Sequence, residues 1–138
     1  MAETVEKILV LEPNQVQGEV TAFRLRLLGY RAQWIKSGLD FWSTLYMEHP
    51  DAVIISLDGS AKDGLEVLEQ LGSDARTSKI PVMVTSVKAE LDLVEKAWRA
   101  GGRDFLVTPF DPAMLEQKVA KLLGRRVKED AADDALVA

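Results

Sequence analysis

Five short apolar runs recur along the chain, each followed by a stretch in which apolar residues return every three or four positions. The runs cover residues 7–11 (KILVL), 31–36, 52–57 (AVIISL), 82–85 and 104–107. KILVL and AVIISL are apolar throughout rather than alternating, the pattern of strands covered on both faces of a parallel sheet. In the stretches between, Val16, Val20, Phe23 and Leu27 form one apolar stripe on a first helix. Phe41 with Leu45, and Leu65 with Leu68, mark two shorter helices. Leu91, Val94 and Trp98 share a face of a fourth, and Leu115, Val119 and Leu122 a face of a fifth.

The punctuation agrees with these elements. Gly29, Gly101–Gly102 and Gly124 stand where helices one, four and five should stop. Asp111 followed by Pro112 is an N-cap with proline at the first helical position. Strict strand–helix alternation implies a doubly wound α/β domain of five parallel strands and five helices, joined by right-handed crossovers. Residues 1–124 make this domain. Residues 125–138, charged and then acidic without a helical stripe, are expected to be a tail or the start of a linker.

Composition narrows the chemistry. A chain of 138 residues, 47% hydrophobic and 28% charged, suffices for one soluble core. The formal net charge of -5 argues against direct contact with nucleic acid. Without cysteine there is no disulfide, thiol nucleophile or thiolate metal site. No apolar run approaches the roughly 18 residues of a membrane span, and MAETVE is acidic rather than signal-like. The expected location is therefore cytoplasmic, without membrane contact.

In such a sheet a ligand site belongs at the carboxyl ends of the strands. That selects Glu12–Pro13–Asn14, Ser37–Gly38, Ser56–Leu57–Asp58, Thr85–Ser86 and Thr108–Pro109. At these positions, and over about residues 7–124, the chain resembles the receiver domain of two-component response regulators, a CheY-like fold. KILVLEPN, HPDAVIISLDGSAKDGLEVL with Asp63–Gly64, IPVMVTS and GGRDFLVTPF match that family's segments in order. The resemblance implies strand order 2-1-3-4-5.

Receivers of this family take a phosphoryl group from a histidine kinase onto an aspartate after the third strand. An acyl phosphate needs a carboxylate nucleophile. The transferred charge needs Mg²⁺ held by oxygen ligands, and a lysine. Set on this pattern, Ser56 holds the acceptor position. Glu12 keeps the first acid of the pair after the first strand, Pro13 replaces the second, and Thr108 stands where the lysine precedes Pro109. Ser86 aligns with the hydroxyl that senses the phosphoryl group, with Thr85 beside it, and Phe105 takes the switch-aromatic position. A cis Thr108–Pro109 bond is expected. Asp58 is expected to lend its backbone to a metal and point its side chain to solvent. No catalytic residue and little or no Mg²⁺ binding are expected, and the chain is not expected to be an enzyme.

Ser56 has no base: His49, the sole histidine, stands just before Pro50 at the start of the third strand. That strand climbs roughly 16 Å from Asp51 to Ser56 at about 3.3 Å per residue, so His49 lies at the wrong end of the sheet. The expected function is a phosphorylation-independent pseudo-receiver that recruits a partner protein, or a second copy, within two-component-type signalling. The resemblance places that contact on the face of the fourth helix, fifth strand and fifth helix, with Val94, Trp98, Phe105, Lys118 and Lys121. A second patch could form from Trp42 and Tyr46. Two alternatives stay open: a receiver still phosphorylated, most plausibly on Asp58, and a small-ligand or ion sensor using the emptied pocket.

Overall fold

A computed structural model describes residues 5–58 and 61–124, and the tail expected over 125–138 lies outside the described residues. The elements alternate without exception: β1 Lys7–Leu11, α1 Gln15–Leu27, β2 Arg31–Ile35, α2 Gly38–Glu48, β3 Ala52–Ser56, α3 Ala61–Ser73, β4 Val82–Ser86, α4 Leu91–Arg99, β5 Asp104–Val107 and α5 Pro112–Leu122. The strands are all parallel, in the order β2-β1-β3-β4-β5.

Each strand feeds two cores, because successive side chains leave opposite faces of the sheet. Leu9, Leu11, Val53, Ile55, Val82 and Val84 pack with Phe41, Leu45, Leu68, Leu71 and Ala97 of α2, α3 and α4. Ile8, Val10, Ala52, Ile54 and Met83 pack with Leu25 of α1 and Leu115 and Val119 of α5. Burying side chains of this size stabilises by roughly 1.5–3 kcal/mol each. The parallel pairing fixes where the strands end. Ser56 lies opposite Thr85 and Ser86 opposite Val107, so the chain leaves β1, β3, β4 and β5 along one edge.

Helix starts follow the sequence signals. The Asn14, Ser37 and Asp111 side chains accept from Gln17, Asp40 and Ala113 amides, capping α1, α2 and α5. The Thr108–Pro109 bond is cis. Gly64 in α3 is required by close approach, since a Cβ there would run into the Ser56 carbonyl oxygen.

In α1 the packing differs from what hydropathy suggests. The stripe of Val16, Val20, Phe23 and Leu27 faces solvent, and the helix buries Gly18, Thr21, Ala22 and Leu25. Both sets have helical spacing, but only the small set lets the helix lie close on the sheet. The Trp34 indole of β2 rests on Gly18 and donates to the Glu12 carbonyl at 2.8 Å. In α4, Ala97 is buried, while Leu91 (72%) and Trp98 (69%) are exposed.

Alanine at Gly18 would gain about 1 kcal/mol of helix propensity, yet its Cβ collides with the Trp34 ring. Gly18→Ala is therefore expected to destabilise by about 1–3 kcal/mol, read as a lower urea midpoint. Gly18→Ala with Trp34→Ala should cost less than the sum of the single changes. An unchanged or raised midpoint for Gly18→Ala alone would contradict the contact.

Candidate functional site at the carboxyl edge of the sheet

Glu12, Ser56, Asp58, Ser86 and Thr108 all come to the carboxyl edge, delivered by the ends of β1, β3, β4 and β5. Glu12 follows β1 and is 3% exposed. Its carboxylate accepts from the Asn14 amide at 3.1 Å and from the Ser56 hydroxyl. Burial raises the Glu12 carboxyl above the usual carboxylate range. The Asn14 amide and Ser56 hydroxyl oppose that shift, and the charge of Asp58 adds to it. Pro13 carries no donor or acceptor beyond its carbonyl, so the turn into α1 supplies one carboxylate only.

Ser56 is buried, and its Oγ accepts from the Asp58 amide at 3.1 Å. Asp58 departs from the expectation that it points to solvent. Its carboxylate turns across to the end of β4, where it accepts from the Ser86 hydroxyl at 2.9 Å and from the Val87 amide at 3.0 and 3.1 Å. The Ser86 Oγ in turn accepts from the Lys88 amide at 3.0 Å. The side chain turns inward because the first residue of the β4–α4 loop presents an amide with no strand to pair with. A carboxylate satisfies that amide and the adjacent hydroxyl together, by charge-assisted bonds.

The result is a continuous hydrogen-bonded run: Asn14, Glu12, Ser56, Asp58, Ser86 and Lys88. It ties the ends of β1, β3 and β4. Thr108, after β5, stays outside it. Its residue is 5% exposed, and its buried Oγ1 has no hydrogen-bond partner. Between α1 and this edge lies a cleft of about 590 Å³ lined by Glu12, Pro13, Asn14, Val16, Gln17, Asp58, Val87 and Thr108. None of those residues is basic. Lys36 lines an adjoining cavity with Ser56, Asp58 and Asp63.

The face proposed by resemblance for docking is only partly as expected. Trp98 is exposed and Val94 half-buried. Phe105 is half-buried and packs on the core beneath α2, α3 and α4. Lys118 is engaged: its ammonium lies 2.8 Å from Asp104 of β5, in a half-buried pair. Lys121 is exposed. On α2, Trp42 stacks on Tyr46 at 6.3 Å, and Arg76 covers the Tyr46 ring at 5.5 Å. Tyr46 is nonetheless 45% exposed, so the pair stays partly open to solvent. His49 caps the C-terminus of α2 with φ 48°, at the amino end of β3.

Sequence reasoning found the positions on the edge but missed their connections. Nothing in the residue pattern announces that the Val87 and Lys88 amides close the run. The Trp34 bond to the Glu12 carbonyl was signalled only by register, since Trp34 lies opposite Val10. Among the described residues, no helix is long and apolar enough to cross a membrane.

The sequence matches the response regulator receiver domain family over residues 8–120. It is 30% identical over 120 residues to the transcriptional regulatory protein QseB of Haemophilus influenzae, covering 87% of this chain and 53% of that protein. Against the DNA-binding dual master transcriptional regulator RpaA of Synechocystis the identity is 25%, over 86% of this chain and 49% of that one. The chain thus spans about half the length of these relatives. A response regulator from Thermotoga maritima superposes with TM-score 0.80 at 19% identity, covering 88% of this chain and 99% of the other. The receiver domain of sensor histidine kinase PA1611 from Pseudomonas aeruginosa, with a magnesium ion in its active site cleft, gives TM-score 0.78 at 24% identity over 88% and 99%. With the matching strand order and a family match spanning β1 to α5, this chain belongs to the response regulator receiver domain family.

Proposed function

We propose that this receiver domain works as a phosphorylation-independent interaction module, and that its β4–α4 loop is set by the chain's own Asp58. The observation that carries this is the Asp58 carboxylate on the Ser86 hydroxyl and the Val87 amide. The hydroxyl that by resemblance answers to a phosphoryl group is here committed to an internal anion. Ser56 provides no carboxylate to phosphorylate, and Thr108 no positive charge.

The donor set suits Mg²⁺ poorly. Glu12 is turned to Asn14 and Ser56, Asp58 to Ser86 and Val87, and Pro13 adds no carboxylate. A hard cation that demands near-octahedral oxygen ligands has too few here. No residue at this edge is therefore assigned a catalytic role. Recognition would pass instead through exposed apolar surface, and Leu91 and Trp98 on α4 are suited to anchor a partner protein. A small-ligand sensor is the second reading, favoured by the unpartnered Thr108 hydroxyl beside the cleft.

Acetyl phosphate or beryllofluoride with Mg²⁺ is expected to leave the amide NMR spectrum unchanged. A saturable shift centred on residues 56–58 and 86–88 would overturn the proposal. So would a labile phosphoryl adduct in the intact mass that Asp58→Asn removes.

Asp58→Ala leaves the Ser86 hydroxyl and Val87 amide without their acceptor, and an expected loss of about 1–3 kcal/mol follows from breaking charge-assisted bonds. Urea denaturation measures it, and a loss no larger than that of an exposed surface residue would show the bonds to be incidental.

For Glu12 the sign runs toward acid stabilisation. Its folded carboxyl lies above 4.5, so protonation favours the folded state. That contribution is full below the unfolded value and is lost as pH rises through the folded one. Glu12→Gln, which stays neutral, should gain stability relative to the parent as pH rises above the ordinary carboxylate range. A difference that does not change with pH in paired melts would contradict the burial of a charge-bearing carboxyl.

A further inference from the structure

The outward stripe of α1 has the wrong character for a solvated face. Val16 is 71% exposed, Val20 43%, Phe23 57% and Leu27 66%. At 100° per residue these four centre on the side opposite Gly18, Thr21, Ala22 and Leu25, so the helix is apolar on two opposite faces. The inner one is occupied by the sheet. The outer one has spacing 4, 3, 4, the a and d positions of a heptad seam, extending roughly 16 Å along the helix axis.

The seam is self-complementary when reversed. Laid antiparallel on a copy of itself, Val16 meets Leu27 and Val20 meets Phe23, and a two-fold axis repeats both layers. The flanks agree as well. In an antiparallel pair, positions on the same flank of the two helices face one another. On one flank Glu19 comes beside Arg26 of the other copy, and the symmetry makes that contact twice. On the other flank Gln17 comes beside Arg24, so neither flank sets like charges together. Glu19 bonds within its helix only to Gln15. Arg26, on the flank of the seam, uses its Nε and one terminal nitrogen on the Ala32 carbonyl of β2, which leaves its other terminal nitrogen to reach Glu19. Trp34 wedged against Gly18 fixes the roll of α1 that turns this seam outward.

We propose that α1 is a homodimerisation surface, on which a second copy of this chain docks antiparallel through Val16, Val20, Phe23 and Leu27 with reciprocal Glu19–Arg26 ion pairs. Such an interface is isologous and closed, so it gives a dimer rather than a filament. One helix pair buries less than a standard interface, the size class of weak, transient association. The inference rests on α1 alone and is independent of what happens at the carboxyl edge.

Sedimentation velocity over a concentration series tests it with the whole chain. The parent should show a concentration-dependent monomer–dimer equilibrium, and Phe23→Glu should be monomeric with an unchanged circular dichroism spectrum. E19R and R26E, each alone, put like charges opposite one another across the two-fold, and each should weaken dimerisation by about tenfold. Mixed in equal amounts, these two variants restore attraction at both contacts and should form a heterodimer. Trp98→Ala should leave the equilibrium unchanged. A parent that stays monomeric to millimolar concentration would overturn the proposal, as would a dimer insensitive to Phe23→Glu or one abolished by Trp98→Ala. A failure of the mixed variants to associate would remove the antiparallel register.

Discussion

The carboxylate of Asp58, held by the Ser86 hydroxyl and the Val87 amide, is the contact on which the functional edge of this domain depends. It joins the ends of β3 and β4 by charge-assisted bonds in a half-buried setting, where such bonds exceed the neutral kind. On one side the run continues through Ser56 to Glu12 and the start of α1. On the other it continues through Ser86 to the Lys88 amide and the approach to α4. The Asp58, Val87 and Lys88 amides and the Ser86 hydroxyl are thereby used within the chain, while the Thr108 hydroxyl is left without a partner. In the unliganded chain these bonds hold the start of the β4–α4 loop against the end of β3.

The same sheet explains why α1 carries two apolar faces. β2 is an edge strand, and Trp34 is the side chain it offers to the helix above. Gly18 takes the indole, and Thr21, Ala22 and Leu25 follow it onto the sheet. A helix seated by small residues lies close, and its larger apolar residues have no position left except outward. Helix α4 repeats the arrangement in part, with Ala97 inward and Trp98 outward. The result is a domain with exposed apolar residues on two helices, α1 and α4.

Much of the fold was legible in the sequence. Continuous apolar runs told of a parallel sheet covered on both sides, and the order of the matching segments fixed the topology and the edge where the site forms. The cis bond before Pro109 followed from the resemblance, and the burial of Phe41, Leu45, Leu115 and Val119 from helical spacing. The roll of α1 did not, because Gly18, Thr21 and Ala22 carry little hydropathy and close approach depends on shape. The inward turn of Asp58 was also hidden, since its partners are a backbone amide and a hydroxyl that lie 28 residues or more along the chain. The Lys118–Asp104 pair and the Arg76–Tyr46 contact were invisible for the same reason: each joins residues that only the tertiary fold brings together.

Amide hydrogen exchange at Val87 measures the central contact most directly. An amide on a loop just past the end of β4 exchanges rapidly unless something holds it. With no ligand present, protection of Val87 comparable to that of the neighbouring β4 amides, lost in Asp58→Ala while Met83 and Val84 stay protected, is the result expected of an internally set loop. Free exchange at Val87 in the unliganded parent would contradict it.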